Sequence, residues 1–268
     1  MTIHSLSASY PLVARRPSVN SSVVCDHFGV SAEAERVVVA EKVEVDVRPG
    51  DVVLFVGPSG SGKSTLLRAL AAQLCEAHRV IDSGAIDLGD HALVDELPIR
   101  VDEGLDLLAA CGLGEARLML RSAAELSEGQ RYRFRLARAV SEADGNGWVV
   151  ADEFTATLDR VLAKVVAFGV RRLADRQGCG FLLATTHEDV IADLAPDVIV
   201  RCRGDGEVVV VRSGAATETG ETIPRSRKKK DGQSASPVNS NSRPDRDATG
   251  RTSLGGITAG RGWASCGS

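Results

Sequence analysis

Two short runs of residues in this 268-residue chain have the composition and spacing to handle a nucleotide and its metal. The first is Gly57-Pro58-Ser59-Gly60-Ser61-Gly62-Lys63-Ser64-Thr65, a full match to G-x-x-x-x-G-K-[ST]. Glycines let the backbone curl so that its N–H groups face phosphate oxygens, and a helix starting there adds positive potential. Lys63 would reach the β- and γ-phosphates, and the Ser64 hydroxyl would bind Mg²⁺. The second run is Gly147-Trp-Val-Val-Ala-Asp152-Glu153-Phe154, an apolar stretch that delivers two carboxylates at its end. Asp152 is expected to orient Mg²⁺, and Glu153 to polarise the attacking water as general base. An acidic pair after a strand is also a common helix cap, so the second run draws its meaning from the first.

Both runs need a scaffold, and the flanking sequence supplies one. DVVLFVG (51–57) is a short apolar strand of the kind buried on both faces, and Ser64 to about Ala77 carries helical apolar spacing at Leu66, Leu67, Leu70 and Leu74. Upstream, the alternation of VVVAEKVEVDV (37–47) predicts a half-buried strand, closed by a Pro49-Gly50 turn. Helices are expected over 103–112, 127–142 and 158–176, with a weaker one near 115–124. Further strands are expected over 147–151, 180–185 and 197–212, and the segment HALVDEL (91–97) reads as strand-like. Strands alternating with helices imply an α/β fold whose mostly parallel sheet is covered on both faces.

A third run narrows the field. LSEGQ (126–130), followed by RYRFRLARAV, resembles the signature of the ATP-binding-cassette (ABC) family, with Glu128 in place of a glycine. Ser127 and Gly129 open a helix, so a hydroxyl, a backbone N–H and a helix dipole converge there, although Ser followed by Glu and Gln also reads as an ordinary cap. TATLD (155–159) resembles the family's D-loop with Asp159 as its acidic residue, and TTHED (185–189) presents His187 as the family's switch histidine. The resemblance spans about Val37 to Val211. It implies a P-loop NTPase fold of ABC type, with an antiparallel N-terminal β-portion and a small helical subdomain. It further implies ATP hydrolysis by a head-to-tail homodimer, in which Ser127 and Gly129 of one subunit cap the ATP on the other's P-loop. His187 would hold the γ-phosphate and water, and Phe28 could stack on adenine.

The chain departs from the family in two places. No Gln lies between Gln73 and Gln130, where the family carries one that couples the metal site to a partner; Asp95 is the best positional match. The stretch from Asp95 to Leu126 is also shorter than in transporter cassettes, which points to a soluble, non-transporter-like branch.

Composition bounds the rest. At 43% hydrophobic and 25% charged residues, the chain can build one large domain but not two. No run of about 18 apolar residues is present, so no membrane insertion is expected, and the N-terminus lacks the pattern of a secretory signal. Six scattered cysteines offer neither a zinc site nor a disulfide framework, which fits a cytoplasmic protein. Residues 1–213 carry a net charge of −8 and residues 214–268 a net of +4. The organisation expected is a loose leader (1–22), an ATPase domain (23–213) and a disordered basic tail (214–268). The run Arg225-Ser-Arg-Lys-Lys-Lys230 permits weak nucleic-acid binding, although a solubilising tail has the same composition. The leading expectation is a soluble ATPase whose closing dimer moves an unidentified protein partner. The alternatives are the ATPase subunit of a membrane transporter and a nucleic-acid-associated ATPase.

Overall fold

The apolar run Val52–Val56 has no exposed surface and forms an interior strand of a six-stranded sheet. The computed structural model describes residues 2–12, 18–29, 35–143, 145–204 and 206–213. In chain order the elements are β1 (Thr2–Leu12), α1 (Val19–Phe28), β2 (Glu35–Val47), β3 (Val52–Val56), α2 (Lys63–Leu74) and β4 (Val80–Asp82). A helical stretch follows with α3 (Leu93–Glu96), α4 (Val101–Ala110), α5 (Ala116–Met119) and α6 (Glu128–Glu142). The chain then continues through β5 (Trp148–Ala151), α7 (Arg160–Gln177), β6 (Gly180–Thr185), α8 (Ile191–Leu194), β7 (Val198–Cys202) and β8 (Val208–Arg212).

The large sheet runs β4-β5-β6-β3-β7-β8, parallel except for β8 at one edge. Successive side chains of a strand point to opposite faces, and each face of this sheet has its own core. Val52, Leu54, Val149, Ala151, Phe181 and Leu183 face a core built with the helices from α3 to α8. Val53, Phe55, Trp148, Val150, Leu182 and Ala184 face a second core, which α2 and the β1–β2 pair complete. This two-sided cover explains why β3, β5 and β6 read as unbroken apolar runs rather than alternating ones.

Several expectations need correction. Residues 1–22, read as a loose leader, contain β1, which pairs antiparallel with β2 from Thr2↔Val47 to Leu12↔Glu35. Leu6 and Ala8 are buried inward-facing residues of β1, and Gln73 of α2 clamps the strand, its Nε2 donating to the Ser5 carbonyl (3.0 Å) while His4 Nδ1 lies 3.0 Å from its Oε1. HALVDEL is not a strand. Leu93 and Leu97, four residues apart and both buried, place its centre in the one-turn helix α3. The strand expected over 197–212 is a β7–β8 hairpin, and the segment near 115–124 holds only α5 and a 3-10 turn at Ala123–Glu125. The tail from 214 onward lies outside the described residues.

Candidate functional site

The phosphate loop joins the C-terminal end of β3 to α2, where an open α/β sheet places its ligands. Two of its glycines are dictated by space as well as by backbone angle. Gly57 has φ 151°, and a Cβ there would run into the Cys202 carbonyl; Gly62 has φ 86°, and its Cβ would strike Val39 Cγ1. The Lys63 side chain folds back over the loop, where Nζ donates to the Pro58 carbonyl at 2.6 Å. Burial pushes its ammonium pKa below the usual lysine value, against the counter-pull of Cys202 and Asp152. The Ser61 hydroxyl is buried in the same loop with no hydrogen-bond partner. A buried ammonium held by a carbonyl, beside a hydroxyl without a partner among the described residues and a cradle no Cβ could share, fits an anionic phosphate chain.

Across the cavity stand the carboxylates. The Ser64 hydroxyl donates to Asp152 Oδ1 at 2.9 Å, and the Glu153 N–H donates to the same oxygen at 3.0 Å. Arg68 Nη2 lies 3.4 Å from Asp152 Oδ2. Glu153 and Thr155 both hold left-handed backbone angles (φ 53° and 64°), a conformation costing about 1–3 kcal/mol for each non-glycine residue. Phe154 between them is fully buried, and its N–H donates to the Ala184 carbonyl at 2.6 Å. Packing thus over-determines a turn that aims Glu153 into the site. The resulting cavity, about 480 Å³, is lined by Lys63, Ser64, Asp152, Glu153 and Thr185 together with Gly60 and Gly62 of the loop. No group of three or more His, Cys, Asp or Glu side chains able to hold a metal occurs among the described residues. Ser64 and Asp152 are a hydroxyl and a carboxylate, a donor set that suits Mg²⁺ shared with phosphate oxygens.

Other expected site residues stand apart from this cavity. Ser127 caps α6: its Oγ accepts from the Gln130 N–H (3.3 Å), and Gln130 Oε1 accepts from the Ser127 N–H (3.0 Å). Neither Ser127 nor Gly129 lines the cavity. Asp159 is the N-cap of α7, Oδ1 accepting from the N–H groups of Val161 (3.0 Å) and Leu162 (2.9 Å). His187 caps the 3-10 turn Glu188–Val190, its own N–H donating to Thr185 Oγ1 at 3.1 Å, next to cavity-lining Thr185 and Thr186. Phe28 is 72% exposed at the end of α1, with its ring edge-on to His27. Asp95 is exposed on α3 and does not line the cavity.

The sheet shows where the helical subdomain begins. Strand β4 is the parallel neighbour of β5, with Asp82 level with Val150 two residues before Asp152. The chain leaves the sheet at Asp82, whose Oδ1 accepts from the Gly84 N–H (2.9 Å), and enters a 3-10 turn at buried Ser83 that packs against β5 and α6. Asp82 and Ser83 thus form the hand-over from the sheet to the helical segment, and neither they nor Asp95 lines the cavity. Three residues of intermediate burial carry too little pattern for β4 to be found from sequence.

A protein-family model described as ABC transporter matches residues 40–104. The zinc import ATP-binding protein ZnuC of Ruegeria pomeroyi is 32% identical over 201 residues, covering 68% of this chain and 78% of that protein. The phosphonates import ATP-binding protein PhnC of Hyphomonas neptunium is 27% identical over 223 residues, covering 68% of this chain and 84% of that protein. A dimeric bacterial ABC transporter cassette shares the fold at TM-score 0.53 and 21% identity, over 66% of this chain and 92% of its own. A cassette dimer in a post-hydrolysis state bound to ADP and Pi gives TM-score 0.55 at 19% identity, over 78% of this chain and 97% of its own.

Proposed function

Because this chain belongs to the ATP-binding-cassette family and is an ATPase, we propose that it hydrolyses ATP as a homodimer in which each site is completed by the partner copy. One observation carries this reading: a single subunit gathers Lys63, Ser64, Asp152 and Glu153 around one cavity yet leaves Ser127 and Gly129 outside it, at an exposed helix start. A helix N-terminus offers N–H groups and positive potential to an anion. A two-fold axis would bring it over the partner's ATP in both sites at once.

In this reading Lys63 exchanges its Pro58 contact for the β- and γ-phosphates. Ser64 and Asp152 hold Mg²⁺, which supplies charge neutralisation on the phosphate oxygens. Glu153 takes the proton of the water whose oxygen attacks the γ-phosphorus; the bond from that phosphorus to the β,γ-bridging oxygen breaks, and ADP and inorganic phosphate leave. His187 turns from its rim position to hold the γ-phosphate. Asp159 acts from α7's cap at the subunit interface. Residues 23–213 make up the ATPase domain, with β1 added to it from the N-terminal segment.

The partner is proposed to be the membrane component of an importer, with the chain working at the cytoplasmic face. The relatives described above are named import ATP-binding proteins. No helix among the described residues is long and apolar enough to cross a membrane. A groove between α4 and α7, lined by Glu103, Asp106, Arg172 and Arg176, offers a charged seat for the membrane component. Nucleic-acid binding through Arg225–Lys230 gains no support from these relatives, and that segment lies outside the described residues. The test of the catalytic reading is steady-state ATP hydrolysis by Glu153→Gln: loss of turnover with retained ATP binding is expected, and wild-type turnover would remove Glu153 from the mechanism.

A further inference from the structure

Tyr132 is half-buried against the core on α6, five residues beyond Ser127 and outside the LSEGQ run. Its phenol oxygen accepts a hydrogen bond from the Thr155 N–H at 3.3 Å. Thr155 is fully buried in the left-handed turn that carries Glu153, and its own hydroxyl has no partner. The turn closes on itself through Ala156 N–H to the Glu153 carbonyl (2.9 Å) and Leu158 N–H to the Thr155 carbonyl (3.1 Å). Tyr132 thus ties the helix that starts at Ser127 to the segment that aims Glu153. A second contact reinforces the tie: a Cβ at Gly129 would come within 3.3 Å of Leu158 Cδ2 and 3.4 Å of the Thr157 carbonyl. Helix and turn are therefore in close contact within one subunit, and a shift of α6 cannot leave the turn untouched.

We propose that Tyr132 is a positioning residue that couples capture of the partner's ATP by the Ser127 end of α6 to the placement of Glu153 in its own subunit. This rests on the sandwich reading above. When Ser127 and Gly129 engage the phosphate on the partner, α6 is drawn toward it, and the phenol carries that displacement to Thr155. Each site is thereby set by the ATP bound at the other. Burial pushes the phenol pKa well above the ordinary tyrosine range, so the contact joins neutral groups and is independent of pH around neutrality. Arg133, the next residue, anchors the opposite side of the same helical turn to the Gly112 carbonyl, with its Nε donating to the Gly129 carbonyl (3.1 Å). The first turns of α6 therefore move with the helical subdomain rather than independently of it.

Tyr132→Phe removes one hydroxyl and keeps the buried ring. Turnover should fall about five- to tenfold, as the loss of one hydrogen bond realised in the active geometry implies, with KM for ATP within about a factor of two of the parent. A fall in kcat matched by a rise in KM would mark general loosening of the site and overturn the proposal, as would unchanged turnover. A second measurement reads the coupling without turnover. The chain contains only two tyrosines, Tyr10 and Tyr132, so 3-fluorotyrosine labelling gives two ¹⁹F resonances that Tyr10→Phe assigns. In the Glu153→Gln protein, Mg-ATP should form the dimer and shift the Tyr132 signal. Adding Ser127→Arg should abolish that shift while ATP still binds. A dimer that forms with the Tyr132 signal unmoved, or a shift that survives Ser127→Arg, contradicts the proposal. If no dimer forms, the sandwich reading falls and this proposal falls with it.

Discussion

Replacing Lys63 with alanine removes the one lysine that lines the phosphate cavity, and the structure sets the size of the effect. Lys63 is 8% exposed, and its ammonium donates to the Pro58 carbonyl at 2.6 Å. In the proposed ATP complex that contact is exchanged for hydrogen bonds to two phosphate oxygens, and all three bonds are charge-assisted, each worth roughly 1.5–3 kcal/mol. The net loss in Lys63→Ala is then about one such bond, roughly 1.5–3 kcal/mol or about 10- to 150-fold in Kd. Burial disfavours the charged form of this lysine, so its pKa is lowered. The unfolded chain therefore binds the extra proton more readily, and the buried charge costs folding stability at every pH below its folded pKa. The melting temperature of the free protein should accordingly hold or rise slightly. Calorimetric titration with ATP and with AMP separates the possibilities, because AMP lacks the phosphates Lys63 is proposed to reach. An ATP affinity within threefold of wild type, or an equal loss for AMP, would refute the assignment.

Ser127→Arg and His187→Ala should each keep single-subunit ATP binding and lose most turnover; unchanged hydrolysis in either removes that residue from the site. Asp159→Ala leaves two N–H groups of α7 uncapped, so thermal denaturation should show a loss of about 1 kcal/mol; no loss would mean the cap contributes nothing. Chelating Mg²⁺ with EDTA should abolish hydrolysis, and magnesium should restore it; activity that persists in EDTA would contradict the role given to Ser64 and Asp152.

The elements that carry the phosphate loop and the carboxylates were legible because each is an unbroken apolar run or a full helical repeat. Strand β6 occupies the residues expected of it, 180–185, since burial on both faces leaves no polar position to blur its ends. Where the signal failed, the physics is local. Among its described side chains, strand β1 buries Leu6 and Ala8 amid small polar residues, and its place depends on pairing with β2 and on the Gln73 amide. HALVDEL alternates in composition, yet Leu93 and Leu97 are buried at helical spacing. Strand β4 is three residues long, so the hand-over at Asp82 and Ser83 could be found only from its pairing with β5. Linear motifs marked the expected site residues but not the connections between them. Nothing in the spacing of Tyr132 and Thr155 announces their hydrogen bond, and Asp159 reads equally well as a D-loop residue and as the α7 cap it forms here.

The central claim is that each catalytic site is shared between two copies of the chain. Light scattering on size-exclusion fractions of Glu153→Gln, run with saturating Mg-ATP and again without nucleotide, tests it most directly. The carboxamide keeps the volume of Glu153 but cannot take the water's proton, so ATP stays bound and holds the two subunits together. A mass of two chains with Mg-ATP and one chain without it is the predicted result. A single-chain mass at high protein concentration with ATP fully bound would contradict the shared site.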